Sequence, residues 1–189
     1  MIHTTLPFWH NFGSRLTVRK IILSVAVSLD GFIEGPYGEY DWCFNDQNGM
    51  SKFMGRVDTL FMGRRTYELV TRQGPVPGFP KYKQYVFSYS LATVNDGFDL
   101  INLNVRSRID QIRHENGKDI WLFGGAQLTS WMANEGLIDE LRLAMHPVVL
   151  GGGKPLFKGL IGRLNLNLTD VQQHPSGLLM LTYLKSPAT

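Results

Sequence analysis

The chain has 189 residues, of which 43% are hydrophobic and 19% are charged, and its formal net charge is +3. This length fits one domain, and the apolar content is enough for a sizeable core, which excludes a wholly disordered chain. The weak positive charge comes without a basic run and argues against nucleic acid as a partner. Cys43 is the only cysteine, which excludes an internal disulfide framework and makes the reducing cytoplasm the expected location.

Two further classes of protein are disfavoured by the sequence. The five histidines are scattered, and no two of them lie four residues apart, so we expect no metal site. The apolar run 21–29 follows Arg19 and Lys20 as in a signal peptide, but it lacks a small-residue cleavage site. Nine residues are also too few to cross a bilayer, which takes about 20. We therefore expect a buried strand here and no membrane association.

The first half of the chain alternates between strand and helix patterns. Residues 20–28 are almost continuously apolar or β-branched, as in a strand that is covered on both faces. Asp46 is placed as the N-cap of a helix whose apolar face carries Met50, Phe53, Met54 and Val57. Further strands are predicted at 59–62, 84–88 and 98–104, a helix at 64–72, and a glycine- and proline-rich loop at 74–80.

The second half continues this alternation and then changes. Ser107 is predicted to cap a helix that ends at Gly117, and a strand at 118–123 runs into Gly124 and Gly125. The next helix carries Leu128, Trp131 and Met132 on one face and ends at Gly136. A long strand is predicted at 141–150, and the runs 164–172 and 177–185 are typical of an antiparallel hairpin.

These patterns predict an α/β fold with a mostly parallel mixed sheet, helices on both faces and a C-terminal antiparallel hairpin. We expect one domain over residues 18–189, preceded by an N-terminal extension at 1–17. The long strand and the apolar hairpin leave an edge or face to be covered, so we expect a homodimer. In such sheets ligands bind beyond the carboxyl ends of the strands, which gives the candidate segments 28–31, 63–66, 88–90 and 124–127.

Two of these segments have the composition of a phosphate site. Gly124 and Gly125 stand between a strand and a helix, where backbone N–H groups and the helix dipole favour an anion, although the pair is equally consistent with a tight turn. Arg64 and Arg65 stand at a helix start, which is unfavourable for cations unless an anion is present. The alternative for them is a solvated pair. Two such turns in one sheet suggest a dinucleotide.

Several familiar motifs are absent. The chain has neither G-x-G-x-x-G nor the serine-hydrolase G-x-S-x-G, and Cys43 has no histidine near it in sequence. The run Gly151–Gly153 precedes Lys154 and Pro155, so it lacks the serine or threonine of a P-loop. We interpret these glycines as a bend or a phosphate-facing loop and prefer the bend.

Five motifs nevertheless stand in one order along the chain: VAVSLDG at 25–31, DW at 41–42, MGRRTYE at 62–68, WLFGGAQL at 121–128 and LGGGKPLF at 150–157. In this order they resemble the dihydrofolate reductase-like superfamily. The SLDG and GGGKPLF elements are similar to the branch named after the C-terminal reductase domain of the bacterial riboflavin-biosynthesis deaminase-reductase. The resemblance covers residues 18–185.

The resemblance implies a three-layer α/β/α sandwich and an NADPH-dependent reductase. It places Ala26 and Ile33 at the nicotinamide, and Ser88 and Tyr89 beside the adenosine 2′-phosphate. The remaining cofactor residues would hold phosphates (Gly63, Arg64, Arg65 and Thr66) or wrap the pyrophosphate (Gly124, Gly125, Ala126, Gln127 and Leu128). Trp42 matches a tryptophan beside the substrate and Asp46 lies near the single acid of the folate enzymes, so both are expected to be catalytic.

The chain also departs from the family at the substrate. Tyr82 stands where folate enzymes hold the glutamate tail with an arginine, and Ala144 stands where they carry a threonine. Thr66 is not followed by the acidic-Pro-Leu-Arg stretch of the riboflavin-pathway reductases. The expected small-molecule substrate is therefore a planar heterocycle or carbonyl compound, with a reaction resembling that of 5-amino-6-(5-phosphoribosylamino)uracil reductase. The alternatives are dihydrofolate reductase activity or a nucleotide-binding module without turnover.

Overall fold

The computed structural model describes residues 18–44, 47–74 and 79–186. The expected extension at 1–17 and the expected cap Asp46 lie outside these ranges. The described strands are β1 (Ile21–Ser28), β2 (Phe32–Glu34), β3 (Val57–Gly63), β4 (Lys83–Phe87), β5 (Phe98–Ile101), β6 (Asp119–Gly124), β7 (Glu140–His146), β8 (Lys154–Pro155), β9 (Leu166–Gln173) and β10 (Leu179–Lys185). The described helices are α1 (Gln47–Met54), α2 (Arg64–Gln73), α3 (Val105–His114) and α4 (Ala126–Asn134).

Eight strands form one sheet in the order β5-β4-β3-β6-β1-β7-β10-β9. The six strands from β5 to β7 are parallel, and β10 and β9 are antiparallel additions at one end. The predicted mixed α/β sheet with a C-terminal hairpin is therefore confirmed. The outer strand β9 leaves Leu168 and Val171 about half exposed, and the expected homodimer stays a prediction.

The sheet buries both faces because successive side chains of a strand point to opposite sides. Ile21 and Leu23 of β1 pack with residues of α3 and α4, whereas Ile22 packs with residues of α1 and α2. The same alternation recurs along β3, β4 and β6. The result is the expected three-layer sandwich, with two helices on each face.

A buried arginine fixes the amino ends of the central strands. Arg19 is 5% exposed, and its guanidinium donates to Thr59 Oγ1 at 2.6 Å and to Ile112 O at 3.4 Å. It also pairs with Asp58 and donates to Lys118 O. Because these partners come from β3, the end of α3 and the approach to β6, one side chain holds three segments in place.

Several predicted boundaries are wrong, each for a local reason. The strand predicted at 141–150 ends at His146, because Pro147 has no N–H to continue the pairing. Val57 begins β3 instead of extending the helix, since α1 ends at Met54. The third helix begins at Val105 and not after Ser107, and Asn104 precedes it with a φ of 48°, a conformation that asparagine tolerates well. It ends at His114, before the predicted Gly117.

A two-stranded sheet of β2 and β8 was not predicted, and β8 begins directly after the three glycines at 151–153. Asp30 accepts hydrogen bonds from Leu150 N at 3.1 Å, Gly151 N at 2.8 Å and Ser28 Oγ at 2.7 Å. The hydroxyl of Ser28, followed by these backbone N–H groups, lowers the pKa of the Asp30 carboxyl. Asp30 therefore ties the end of β1 to the glycine loop, and the geometry supports the interpretation as a bend.

Gly153 is the glycine that this small sheet requires. Its φ is +130°, and a Cβ there would lie 2.1 Å from Glu34 O. We expect Gly153→Ala to lower the free energy of unfolding by about 3 kcal/mol, through backbone strain and overpacking. The matched control is Gly152→Ala, whose Cβ would meet only Pro36 Cγ at 3.8 Å and should change stability by less than about 0.5 kcal/mol. Urea unfolding of both variants tests this, and equal effects would contradict it.

Candidate functional site

A groove of about 970 Å³ opens where β3, β4 and β6 end. It brings together most of the residues predicted to bind a cofactor: Gly63, Arg64, Arg65, Thr66, Ser88, Tyr89, Gly125, Ala126, Gln127 and Leu128. These residues come from three separate turns of the chain. They meet because the carboxyl ends of neighbouring parallel strands lie at the same edge of the sheet. This cavity is called the groove below.

Two helices begin side by side in the groove. Gly63 is the N-cap of α2 and Gly125 is the N-cap of α4, and neither start has a side-chain cap. A Cβ on Gly63 would lie 3.9 Å from Gly124 O and 4.0 Å from Gly125 N, so the two turns are in close contact. The uncapped first-turn N–H groups and both helix dipoles thus favour an anion at one place.

The two glycines after β6 have different roles. Gly124 has a φ of 111°, is buried and does not line the groove, whereas Gly125 has a φ of −74° and does line it. A Cβ on Gly125 would lie 3.3 Å from Thr66 Oγ1. Gly124 therefore makes the turn possible, and Gly125 keeps the space between the two helix starts open.

Some charged side chains of the groove form ion pairs with neighbouring residues, and Arg65 does not. Arg64 Nη1 lies 3.0 Å from Glu68 Oε1, and Lys154 pairs with Glu34. Arg65 is exposed and forms no ion pair with any residue that the structure describes. Arg65 is thus a cation at a helix start without a counter-ion, which is unfavourable unless a bound anion supplies one.

The turn after β4 forms another wall of the groove. Ser88 is 9% exposed, and its Oγ accepts hydrogen bonds from Ser90 N at 3.2 Å and Leu91 N at 3.1 Å. Tyr89 is 82% exposed at the rim. Ser88 thus shapes this turn, while Tyr89 offers an exposed ring to a ligand in the groove.

A second cavity of about 290 Å³, called the inner cavity below, lies on the α1 side of β6, β1, β7 and β10. Its walls are mostly apolar, and Ala26, Phe123 and Ala144 are among them. Phe123 of β6 lines this cavity and Gly125 lines the groove, so one short stretch of chain separates the two. Ile33 lines neither cavity and packs against the core on the α3–α4 side.

Of the two residues expected to be catalytic, the structure describes only Trp42. Asp46 lies outside the described residues. Trp42 packs edge-on against His146, with 5.4 Å between the ring centroids, and His146 lines the inner cavity. The indole N–H of Trp42 is buried and has no hydrogen-bond partner in the described part of the chain. Such a donor is costly to leave unpaired, but Trp42 itself lines neither cavity.

His146 and Arg142 line the inner cavity and were missed by the sequence analysis. His146 is 2% exposed, its Nδ1 lies 2.9 Å from Ala144 O, and its Nε2 lies 3.3 Å from both Phe44 N and Phe44 O. It therefore holds the 42–44 segment against the end of β7. The sequence could have indicated Arg142, because a basic residue stands there between Leu141 and Leu143 in a strand predicted to be buried.

Three other side chains limit the chemistry of this region. Burial, with a smaller effect of Asp41, raises the pKa of the Cys43 thiol to about 11, so it is protonated at neutral pH and is not a nucleophile. Tyr82 lines neither cavity and donates to Met54 O at 3.1 Å, and its burial raises the pKa of its phenol. Ala144 adds only a methyl group to the inner cavity.

Neither a metal-binding cluster nor a membrane-spanning helix occurs in the described ranges. No group of three or more histidine, cysteine, aspartate or glutamate side chains there could hold a metal ion. None of the helices in those ranges combines the length and the apolar character needed to cross a membrane.

Comparison with known proteins places this geometry in a family. The RibD C-terminal domain profile matches residues 19–180. YyaP of Bacillus subtilis (strain 168), itself uncharacterized, is 39% identical over 182 residues, which cover 90% of this chain and 97% of YyaP.

Solved structures agree with this result. A putative riboflavin biosynthesis protein from Shewanella sp. PV-4 has a TM-score of 0.78 and 28% identity, covering 89% of this chain and 99% of its own. Dihydrofolate reductase from Enterococcus faecalis, solved with NADP(H), has a TM-score of 0.66 and 15% identity, covering 89% and 97%. This second likeness shows the fold alone. Since the profile spans most of the chain, the protein belongs to the RibD C-terminal domain family.

Proposed function

We propose that the protein is an NADPH-dependent reductase that reduces a small planar heterocycle or carbonyl compound in the inner cavity. The family is one of reductase-like enzymes. The observation that carries the cofactor assignment is the pair of uncapped helix starts at Gly63 and Gly125, with the unpaired Arg65 beside them. A pyrophosphate is the kind of anion that such a place favours.

The residues of the groove fit NADPH in charge and in space. Gly63, Thr66 and Gly125 would face the pyrophosphate, and Arg65 would supply the counter-charge of the adenosine 2′-phosphate. Bound NADPH would supply the hydride. Trp42 lines neither cavity but packs against His146, which does line the inner cavity, so Trp42 would support that wall.

The protein itself would orient the substrate and exclude water. Phe44, Phe123 and Met180 give the inner cavity apolar walls, which strengthen electrostatic contacts inside it. His146 holds the 42–44 segment, since both of its ring nitrogens lie close to backbone groups. Asp46 stays the residue that the sequence predicts to be catalytic.

One assay separates this proposal from a nucleotide-binding module without turnover. NADPH oxidation would be measured at 340 nm with a panel of pteridines, pyrimidines and small carbonyl compounds. Turnover of any of them with NADPH supports a reductase. Tight NADPH binding without oxidation across the panel would favour the binding module.

The first prediction of this proposal is a preference for NADPH over NADH. A charge-assisted contact of Arg65 with the 2′-phosphate should give roughly 10- to 150-fold tighter binding of NADPH. Arg65→Gln should remove most of this ratio, while Arg163→Gln, at an exposed arginine that does not line the groove, should preserve it. Calorimetric titration of both cofactors measures the ratio, and equal dissociation constants in the unmodified protein would refute the prediction.

The second prediction is that dihydrofolate is a poor substrate. The position of the tail-binding arginine carries Tyr82, a buried phenol that lines neither cavity, and Ala144 has no hydroxyl to bond the acid. We expect kcat/KM for dihydrofolate well below about 10⁴ M⁻¹s⁻¹, the low end for enzymes on their own substrates. Steady-state assays with NADPH test this, and efficient turnover would show that another residue grips the folate tail.

The third prediction concerns Gly125. Valine is compatible with a φ of −74°, but its branches would fill the space beside Thr66 Oγ1 between the two helix starts. We expect Gly125→Val to abolish NADPH binding while the fold survives. Thermal melting and NADPH titration measure the two effects, with Gly55→Val as the control at an exposed glycine outside the groove.

Native NADPH affinity in a stable Gly125→Val protein would show that Gly125 serves only to pack α4 on the sheet. If the valine variant does not fold, Gly125→Ala replaces it, because its Cβ must displace Thr66 Oγ1 only slightly. Weakened NADPH binding in that variant supports the cofactor site, and native binding contradicts it.

A further inference from the structure

Arg142 is a cation in the middle of a buried sheet. It lies on β7, opposite Ser24 of β1 and Thr182 of β10, and it lines the inner cavity. Its Cζ lies 4.5 Å from the centroid of the Phe53 ring, which is 1% exposed. The ring covers one face of the guanidinium and accepts none of its in-plane N–H groups.

No described carboxylate lies within ion-pair distance of this cation, and Glu140 and Asp170 attract it only over a longer distance. Glu140, two residues earlier on β7, is bound by both Nη atoms of Arg56, at 2.8 and 2.9 Å. Asp170 accepts from Gln172 Nε2 at 2.7 Å and forms no ion pair with Arg142. Burial lowers the pKa of Arg142, yet a guanidinium remains charged in a protein.

Arg142 differs in charge from the other described residues that line the inner cavity. No described residue that lines it carries a carboxylate, and the Cys43 thiol is protonated. Both nitrogens of His146 lie near backbone atoms of Ala144 and Phe44. A ligand that enters this cavity therefore meets the positive charge of Arg142. A ligand without an anionic group would remove water from the guanidinium and supply no counter-ion, which is unfavourable.

We propose that Arg142 is the residue that binds an anionic group of the substrate, and that the substrate is a small, flat, mostly apolar carboxylate that also carries the heterocyclic or carbonyl group to be reduced. A carboxylate matches the in-plane N–H pairs of a guanidinium, and because it is planar it needs less room than a tetrahedral anion. The cavity volume of about 290 Å³ is at the low end for ligand pockets. As a statement about the substrate, this rests on the proposed reductase function.

The test uses benzoate and its neutral isostere benzamide, titrated into the full-length protein with and without saturating NADPH. Benzoate should bind roughly tenfold or more tightly than benzamide. Arg142→Met should remove this preference by weakening benzoate alone, with the NADPH affinity unchanged. Arg163→Met, an exposed control outside both cavities, should keep the preference.

Equal affinities of the two probes in the unmodified protein, or a benzoate preference that survives in Arg142→Met, would overturn the proposal. If the methionine variant does not fold, Arg142→Lys decides: it keeps the charge but loses the planar pair of donors, so the preference should fall. An unchanged preference with lysine would overturn the planar contact. A benzoate preference without any NADPH binding would refute the reductase proposal and leave the Arg142 site standing.

Discussion

The structure of the site depends on one steric constraint, the absence of side chains where β3 and β6 end side by side. Because these strands are parallel neighbours, the helices that follow them begin at the same edge of the sheet, with α2 on one face and α4 on the other. Gly63 and Gly125 let the two helix starts approach to van der Waals distance. A Cβ on Gly125 would press on Thr66 Oγ1 at 3.3 Å, and a branched side chain there would fill the space between the two starts on which both helix dipoles act. The position of Arg65 is understandable only in this arrangement.

The inner cavity arises from a different feature, the size of side chains on one face of the sheet. Ser24, Ala26 and Ala144 are small and share the face that α1 covers, so space remains beneath the helix. The opposite face carries Leu23 and Leu141 at neighbouring positions, and both are at most 1% exposed in the α3–α4 core. The face of the sheet covered by α3 and α4 is therefore closely packed at these positions, whereas the face covered by α1 leaves a cavity that can hold a ligand.

The sequence was sufficient for most of the fold and for the groove, because both follow from local patterns. Strand and helix periods gave the order of the elements, and residues directly after strands gave the groove. The β2–β8 sheet is too short to have a period, and β7 ends early through the single effect of Pro147. Arg142 and His146 could not be recognised as cavity residues from the sequence. His146 has its role because it contacts Phe44, which is 102 residues away in the sequence. Arg142 has its role because it packs against Phe53, and because Glu140 pairs with Arg56 instead.

The two positive regions of the site would discriminate ligands in different ways. The groove acts through exposed cations and helix ends, whose attraction is screened by salt over about 8 Å at physiological ionic strength. Such charges attract a polyanionic cofactor but penalise a poor fit only weakly. Arg142 is half-buried against Phe53, where screening is weaker and an unmatched charge is costly. A neutral molecule in the inner cavity would remove water from the guanidinium without replacing its hydrogen bonds. Under this proposal, the free-energy cost of dehydrating Arg142 would select the substrate by excluding molecules that lack an anion. Electrostatic attraction would contribute less to this selection.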